Sequence, residues 1–183
     1  MNSLEDVVIE SKRADLCYKF AYFVHGFSTK GLENVVINSN NLKIITQYAN
    51  VPDANKDELA LKILESKNPK WNYLFVRDVY GCDKGKHGKV IMESLNPEYN
   101  YKFAKNIKGV DVIGCGDAVV KSEDVLYNYL FARNIKEANA IVHRDLLLKI
   151  FNDVEKVKLL NDRIITERCE VSKIRNKILS LTK

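Results

Sequence analysis

Four places in the chain carry residue types that could do chemistry. The segment Gly81-Cys82-Asp83-Lys84-Gly85-Lys86-His87 has the glycines and lysines of a phosphate-binding loop. That loop needs four residues between its glycines, then Lys and Ser or Thr, so that backbone amides cradle phosphate and a hydroxyl reaches the metal. Here three residues separate the glycines, and His87 stands where the hydroxyl belongs. Gly114-Cys115-Gly116 starts like a dinucleotide fingerprint but has neither the third glycine nor a strand before it. His143-Arg144-Asp145-Leu146 opens like a kinase catalytic loop, which needs an asparagine five residues after the aspartate. Ile150 occupies that place.

The fourth place is a register rather than a segment. His87, Cys115 and His143 recur at one repeat position, with Cys82 nearby. A zinc ion needs its ligands within about 2.0–2.3 Å. Successive helical repeats stack about 10 Å apart, so ligands from three of them cannot converge on one ion. These residues read as packing on the buried arc of a helix. No Ser–His–Asp or paired-carboxylate arrangement follows from the spacing. The expectation is a non-enzymatic chain with no catalytic, cofactor-binding or metal residues.

The elements that carry these residues form a tandem repeat. Ser94–Gly109 reads SLNPEYNYKFAKNIKG; SKNPKWNYLFVRDVYG at 66–81, SEDVLYNYLFARNIKE at 122–137 and SKRADLCYKFAYFVHG at 11–26 say the same thing. The marker serines Ser11, Ser39, Ser66, Ser94 and Ser122 are spaced 28, 27, 28 and 28 residues apart. A fixed period in this range is the signature of stacked helical repeats. The second repeat is one residue short, at Asn50-Val51-Pro52. The spacing predicts repeats at 4–31, 32–58, 59–86, 87–114, 115–142 and 143–170, with a capping helix at 171–183 that carries Ile174, Ile178 and Leu181.

Each repeat should hold two short helices. The first begins after Ser28, Asn55, Asp83, Asp111 or Asn139, all N-cap residue types, carries clusters such as Val90-Ile91-Met92, and ends near the marker serine. The second is capped by Asn41, Asn68, Asn96, Asp124 or Asn152 and runs about three turns. Pro97 suits the first helical position, and Gly109 suits a left-handed residue directly after the helix. Helices this short are stable only when stacked. The fold expected is all-α: an α-solenoid of about six helix–turn–helix repeats with a C-terminal capping helix, a single domain wound as a right-handed superhelix.

Composition agrees with such a chain. Its 183 residues are 46% hydrophobic, enough for one continuous core. No apolar run is long enough to cross a bilayer, and the N-terminus lacks the basic and apolar regions of a signal peptide. Cys17, Cys82, Cys115 and Cys169 have no paired spacing, as free thiols in a reducing cytoplasm would. The net charge of +5 is uneven. Residues 59–86 hold six basic groups against three acidic, and 171–183 hold Lys173, Arg175, Lys177 and Lys183 with no acid.

At 100° per residue, Asn72, Asn100 and Asn128 fall in the middle of the buried arc of the second helix. A buried amide is costly unless bonded, so these read as a ladder that satisfies loop backbone between repeats. The opposite arc offers Lys70, Leu74 and Arg77, then Glu98, Lys102 and Lys105, then Leu126, Leu130 and Arg133, with Trp71, Tyr99 and Tyr127 at its edge. Outward leucines flanked by arginine and tryptophan have the content of an interface.

The pattern Leu-x-x-Val-Ile-x-Ser-x-Asn-Pro-x-x-x-Tyr-x-Phe-Ala-x-x-Ile-x-Gly resembles tandem helical-hairpin repeats in proteins of AT-rich bacterial, phage and giant-virus genomes. More broadly it is similar to the tetratricopeptide and HEAT class. The resemblance covers residues 4–142 and implies an α-solenoid with a binding role and no catalytic residues; for a phage source it implies an inhibitor that grips a host defence protein. The function expected is thus a cytoplasmic binding module that grips a protein partner through Trp71, Leu74, Arg77, Lys102, Lys105, Leu130 and Arg133. The alternative is an RNA- or DNA-binding repeat that uses the basic ladder.

Overall fold

A computed structural model describes residues 3–24 and 29–152. Among them the chain is all-helical, with eleven helices and no strand: α1 (Leu4–Glu10), α2 (Ala14–Phe23), α3 (Thr29–Asn38), α4 (Leu42–Tyr48), α5 (Lys56–Glu65), α6 (Pro69–Asp78), α7 (Lys84–Glu93), α8 (Pro97–Asn106), α9 (Val112–Lys121), α10 (Val125–Asn134) and α11 (Ala140–Asn152). The cap expected at Ser28, the glycine at 26, the rest of the sixth repeat from 153 and the helix at 171–183 lie outside the described residues.

Apart from α2, which follows Arg13 without a side-chain cap, the capped helices start where a side chain can accept their free amides. Asn41, Asn55, Asn68, Asp83, Asn96, Asp111 and Asp124 each cap a helix through a side-chain oxygen. This settles the Gly81–His87 segment. It is a turn followed by a helix start, and Asp83 accepts from the amides of Gly85 and Lys86. A carboxylate already sits on the amides that a phosphate would need. Asn152, expected to cap a second helix, lies within α11, which runs through Ile150 and Phe151. Ile150 stands 28 residues after Ser122, where a marker serine would make the turn.

The marker serines make those turns. Ser11, Ser39, Ser66, Ser94 and Ser122 each donate a short hydrogen bond, 2.6–2.7 Å, to the carbonyl three residues back. The next residue crosses into the left-handed region: Lys12, Asn40, Lys67, Leu95 and Glu123 have φ of 51–55°. The cap of the following helix comes directly after. Only three residues therefore separate the two helices, and the left-handed one is never glycine. Gly109 was expected to end α8 directly, but Ile107 ends it in an extended conformation and the positive φ of Gly109 comes two residues later. Gly81 does the same after α6.

The chain folds as two compact units, divided between Ser94 and Leu95. In the N-terminal unit α2 packs on α3 and α4, α4 on α5 and α6, and α6 on α7. Its core holds Cys17, Leu32, Val36, Ile45, Tyr48, Leu59, Ile63 and Phe75. The shortened second repeat closes through a buried acid: Glu33 accepts the amide of Asn55 at 2.9 Å. Burial raises the pKa of that carboxyl, and the Asn55 N–H works against the rise. In the C-terminal unit α8 packs on α9 and α10, and α11 on α9 and α10. Phe103, Cys115, Val119, Phe131 and Leu147 are fully buried there. Gly116 allows close approach in this unit, since a Cβ would stand 3.2 Å from the Phe131 ring and 3.4 Å from His143 Nε2.

Candidate partner-binding site

Inside each unit the second helices are pinned by a buried polar chain. Asn72 Nδ2 donates to the carbonyls of Ile63 and Asn68, at 3.2 and 2.9 Å. Ser66 Oγ shares the Ile63 carbonyl at 2.6 Å. The Asn72 Oδ1 is then left to face His87 Nδ1 at 2.7 Å. In the C-terminal unit Asn128 repeats this with Val119, Asp124 and His143, again at 2.7 Å to the ring. Because both amide protons are spent on carbonyls, the imidazole must be the donor, so each histidine carries its proton on Nδ1. Phe75 and Phe131 lie against these rings, with centroids 5.1 and 5.0 Å away. The asparagine ladder is structural as expected, with one difference. It satisfies the end of its own repeat's first helix, and its link to the next repeat is a histidine rather than loop backbone.

This accounts for the His87, Cys115 and His143 register as buried packing positions. Burial pushes the His87 pKa down to about 4, with Asp83 working against the drop and Lys86 adding to it. His143 is lowered by burial too, opposed by Asp117. Burial pushes the Cys115 thiol up to about 12, so it is no thiolate nucleophile at neutral pH. No three His, Cys, Asp or Glu side chains gather as a metal site among the described residues, and no helix among them is long and apolar enough to cross a membrane.

The expected binding residues lie on α6 in the N-terminal unit (Trp71, Leu74, Arg77) and on α8 and α10 in the C-terminal unit (Lys102, Lys105, Leu130, Arg133). Arg77, Lys105 and Arg133 are exposed, and Lys102 is half-exposed. Leu74, Leu126 and Leu130 are partly exposed, in the same intermediate range as Lys102. The buried arc of a second helix is wider than a two-dimensional projection allows, because neighbouring helices flank it. Trp71 is also half-buried, packed against the N-terminal core, with Lys70 Nζ 5.6 Å from its ring centroid.

What remains exposed is a repeated cation, laid over a tyrosine that is buried in α6 and α8 and half-buried in α10. Arg77 lies over Tyr73, Lys105 over Tyr101 and Arg133 over Tyr129, with the charge 5.7, 5.3 and 6.0 Å from the ring centroid. Tyr and cation are four residues apart, which places them on one helix face. With the cation exposed to solvent, each contact is worth about 0.5–1 kcal/mol. It fixes the side chain's direction more than it stabilises the fold. The sequence held this signal as Tyr-x-x-x-Arg/Lys at a constant register, but the tyrosines were not read as part of the site. Lys102 similarly lies 5.3 Å over Tyr99 and pairs with Glu98.

The cations differ in their other contacts. Arg77 is held by Asp78 through two hydrogen bonds of 2.7 and 2.8 Å. Lys105 donates to the Tyr101 hydroxyl at 3.1 Å and Arg133 to the Tyr129 hydroxyl at 3.4 Å, as Arg77 also bonds Tyr73. Asn134 Nδ2 also donates to the Tyr101 hydroxyl, at 2.8 Å, joining α10 to α8. Compared with known proteins, the chain matches no family model, no curated protein and no solved structure.

Proposed function

We propose that the chain is a non-enzymatic binding module that grips a protein partner through the exposed arc of its second helices, within an α-solenoid of about six helix–turn–helix repeats closed by a C-terminal helix. One observation carries this reading: an exposed cation laid over a tyrosine at the same register of α6, α8 and α10. Surface cations usually sample many rotamers, and ordering one on binding costs about 0.5–1.5 kcal/mol. Held over rings, these three arrive with part of that cost already met. Arginine and tyrosine are also the residues in which interface energy concentrates.

The test is capture from the source cell, with mass spectrometry and a nuclease-treated arm in parallel. The parent should retain a protein after nuclease treatment, and a variant with Arg77, Lys105 and Arg133 all changed to Glu should lose it while staying helical. Retention of the same protein by that variant would move the site elsewhere. Capture that disappears with nuclease, together with a steep loss of affinity as salt rises, would make the ligand RNA or DNA instead.

A further inference from the structure

The hydrogen bonds at Tyr101 leave a surplus of donors. A phenol oxygen has two lone pairs and one proton. Lys105 Nζ and Asn134 Nδ2 both donate to this oxygen, at 3.1 and 2.8 Å, so both lone pairs are taken. The phenol proton must then point away from both, toward an acceptor. Beside it stand the remaining ammonium protons of Lys105 and the second amide proton of Asn134, and the residue before Asn134 on α10 is Arg133, which lies over Tyr129. Described ion pairs in the C-terminal unit join Glu98 to Lys102 and Asp145 to Arg144, and neither involves Lys105 or Arg133. The ends of α8 and α10 contribute about half a negative charge each. Two full cations, Lys105 and Arg133, outweigh these two helix ends.

The N-terminal unit shows what a cation at this register takes. Arg77 there holds a carboxylate in two-point geometry, and the carboxylate is that of the very next residue, Asp78. The corresponding residues after Lys105 and Arg133 are Asn106 and Asn134. An amide at these positions carries no charge, so the internal anion is absent.

We infer that the Tyr101–Lys105–Asn134 cluster, with Arg133 over Tyr129, binds carboxylates of an acidic segment of the partner. The inference rests on the function proposed above and names the chemistry that face recognises. Packed helices lie about 8–10 Å apart, and α8 and α10 are in contact. A polyproline-II chain rises about 3.1 Å per residue with three residues per turn, so acids at i and i+3 lie on one face and would span the two cations.

The experiment uses the full chain and three probes: an extended peptide with glutamates at i and i+3, inorganic phosphate, and a single-stranded oligonucleotide. Binding is followed by NMR shifts of the Asn134 side-chain amide and the Lys105 and Arg133 backbone amides, and by fluorescence polarisation. The peptide should bind and move these signals. Asn106→Asp with Asn134→Asp, which installs the internal acid of the N-terminal unit, should weaken it at least about tenfold with the helical spectrum unchanged. Peptide binding that ignores the double variant, or no peptide binding at all, overturns the inference. Tight binding of phosphate or the oligonucleotide but not the peptide also overturns it. The two readings fail separately. If the Arg77/Lys105/Arg133→Glu variant still captures the cellular partner while the peptide result holds, the anion site stands and the partner face is wrong. If capture is lost but the double variant binds peptide normally, the face stands and the carboxylate assignment is wrong.

Discussion

The last turn of α6 and the last turns of α8 and α10 place a cation over a tyrosine at the same register, and one residue separates their behaviour. After Arg77 comes Asp78, which neutralises it in two-point geometry. After Lys105 and Arg133 come Asn106 and Asn134. The helix, the ring and the exposure are shared; the internal counter-ion is not. A repeat scaffold can therefore hold its surface geometry constant and switch individual cations between closed and available by an Asp-to-Asn difference. The same holds in the core. Asn72 and Asn128 each take a buried histidine, while the register opposite Asn100 holds Cys115.

The largest expected effect tests the core half of this comparison. His87 is neutral in the fold, with its pKa down at about 4 against an ordinary 6.5. The unfolded chain takes up the proton first, so stability should fall as pH drops from 6.5 and level off below 4. The loss attributable to His87 should reach about 3 kcal/mol. His87→Cys, which copies the residue at 115, should remove that share of the slope, as read from denaturant unfolding at pH 7 and pH 4.5. Cys115→His should steepen it, because Asn100 and Phe103 occupy the places of Asn72 and Phe75. Identical slopes for parent and His87→Cys would mean that the ring titrates normally.

Next is the asparagine itself. Asn128→Leu strips bonds from the Val119 and Asp124 carbonyls and from His143, and should cost about 1–3 kcal/mol or somewhat more. Asn100→Leu should also cost more than Lys102→Leu, since Asn100 is fully buried and Lys102 is half-exposed. Equal melting temperatures for the Asn100 and Lys102 variants would break the assignment of faces.

A smaller gain is expected at the turns. Lys67, Leu95 and Glu123 hold a left-handed conformation that costs a residue with a Cβ about 1–2 kcal/mol, part of which glycine gives back through chain entropy. Glycine at each should stabilise by about 0.5–1 kcal/mol, measured one site at a time by thermal unfolding. Destabilisation at all three would mean that their side chains contribute more than the backbone loses.

These turns also mark what the sequence could and could not disclose. Helix starts were legible because Asn and Asp caps act locally through one side-chain oxygen. The period was legible because the marker serine recurs. The left-handed residue was not, since Lys, Leu and Glu carry no local preference for it; the visible glycines, Gly81 and Gly109, pointed to helix ends that in fact come earlier, at Val79 and Ile107. The pairing of Asn72 with His87 spans fifteen residues and arises only when repeats stack. The partial exposure of Leu74 and Leu130 was not legible for the same reason. Helical phase gives a direction, while the half-burial comes from the helices alongside. The Tyr-to-cation spacing was present in the letters, but its significance lies in which hydroxyls receive which protons.

The smallest effect on stability, and the sharpest on the comparison, should come from Asp78→Asn. The pair it breaks is half-exposed, with side chains 49% and 40% accessible. Such pairs contribute about 0–1 kcal/mol, so the melting temperature should hardly move. What changes is the state of Arg77. Still laid over Tyr73, it loses its internal carboxylate and becomes like Lys105 and Arg133. If the counter-ion alone separates the two units' cations, the variant should bind the diglutamate peptide more tightly than the parent, with new shifts at Arg77 and Tyr73. Asn134→Asp should move affinity the opposite way. If Asp78→Asn leaves peptide binding unchanged, the counter-ion is not what distinguishes α6 from α8 and α10. The contribution of α10 to the Tyr101 hydroxyl, through Asn134, would then be the feature that makes the C-terminal unit receptive.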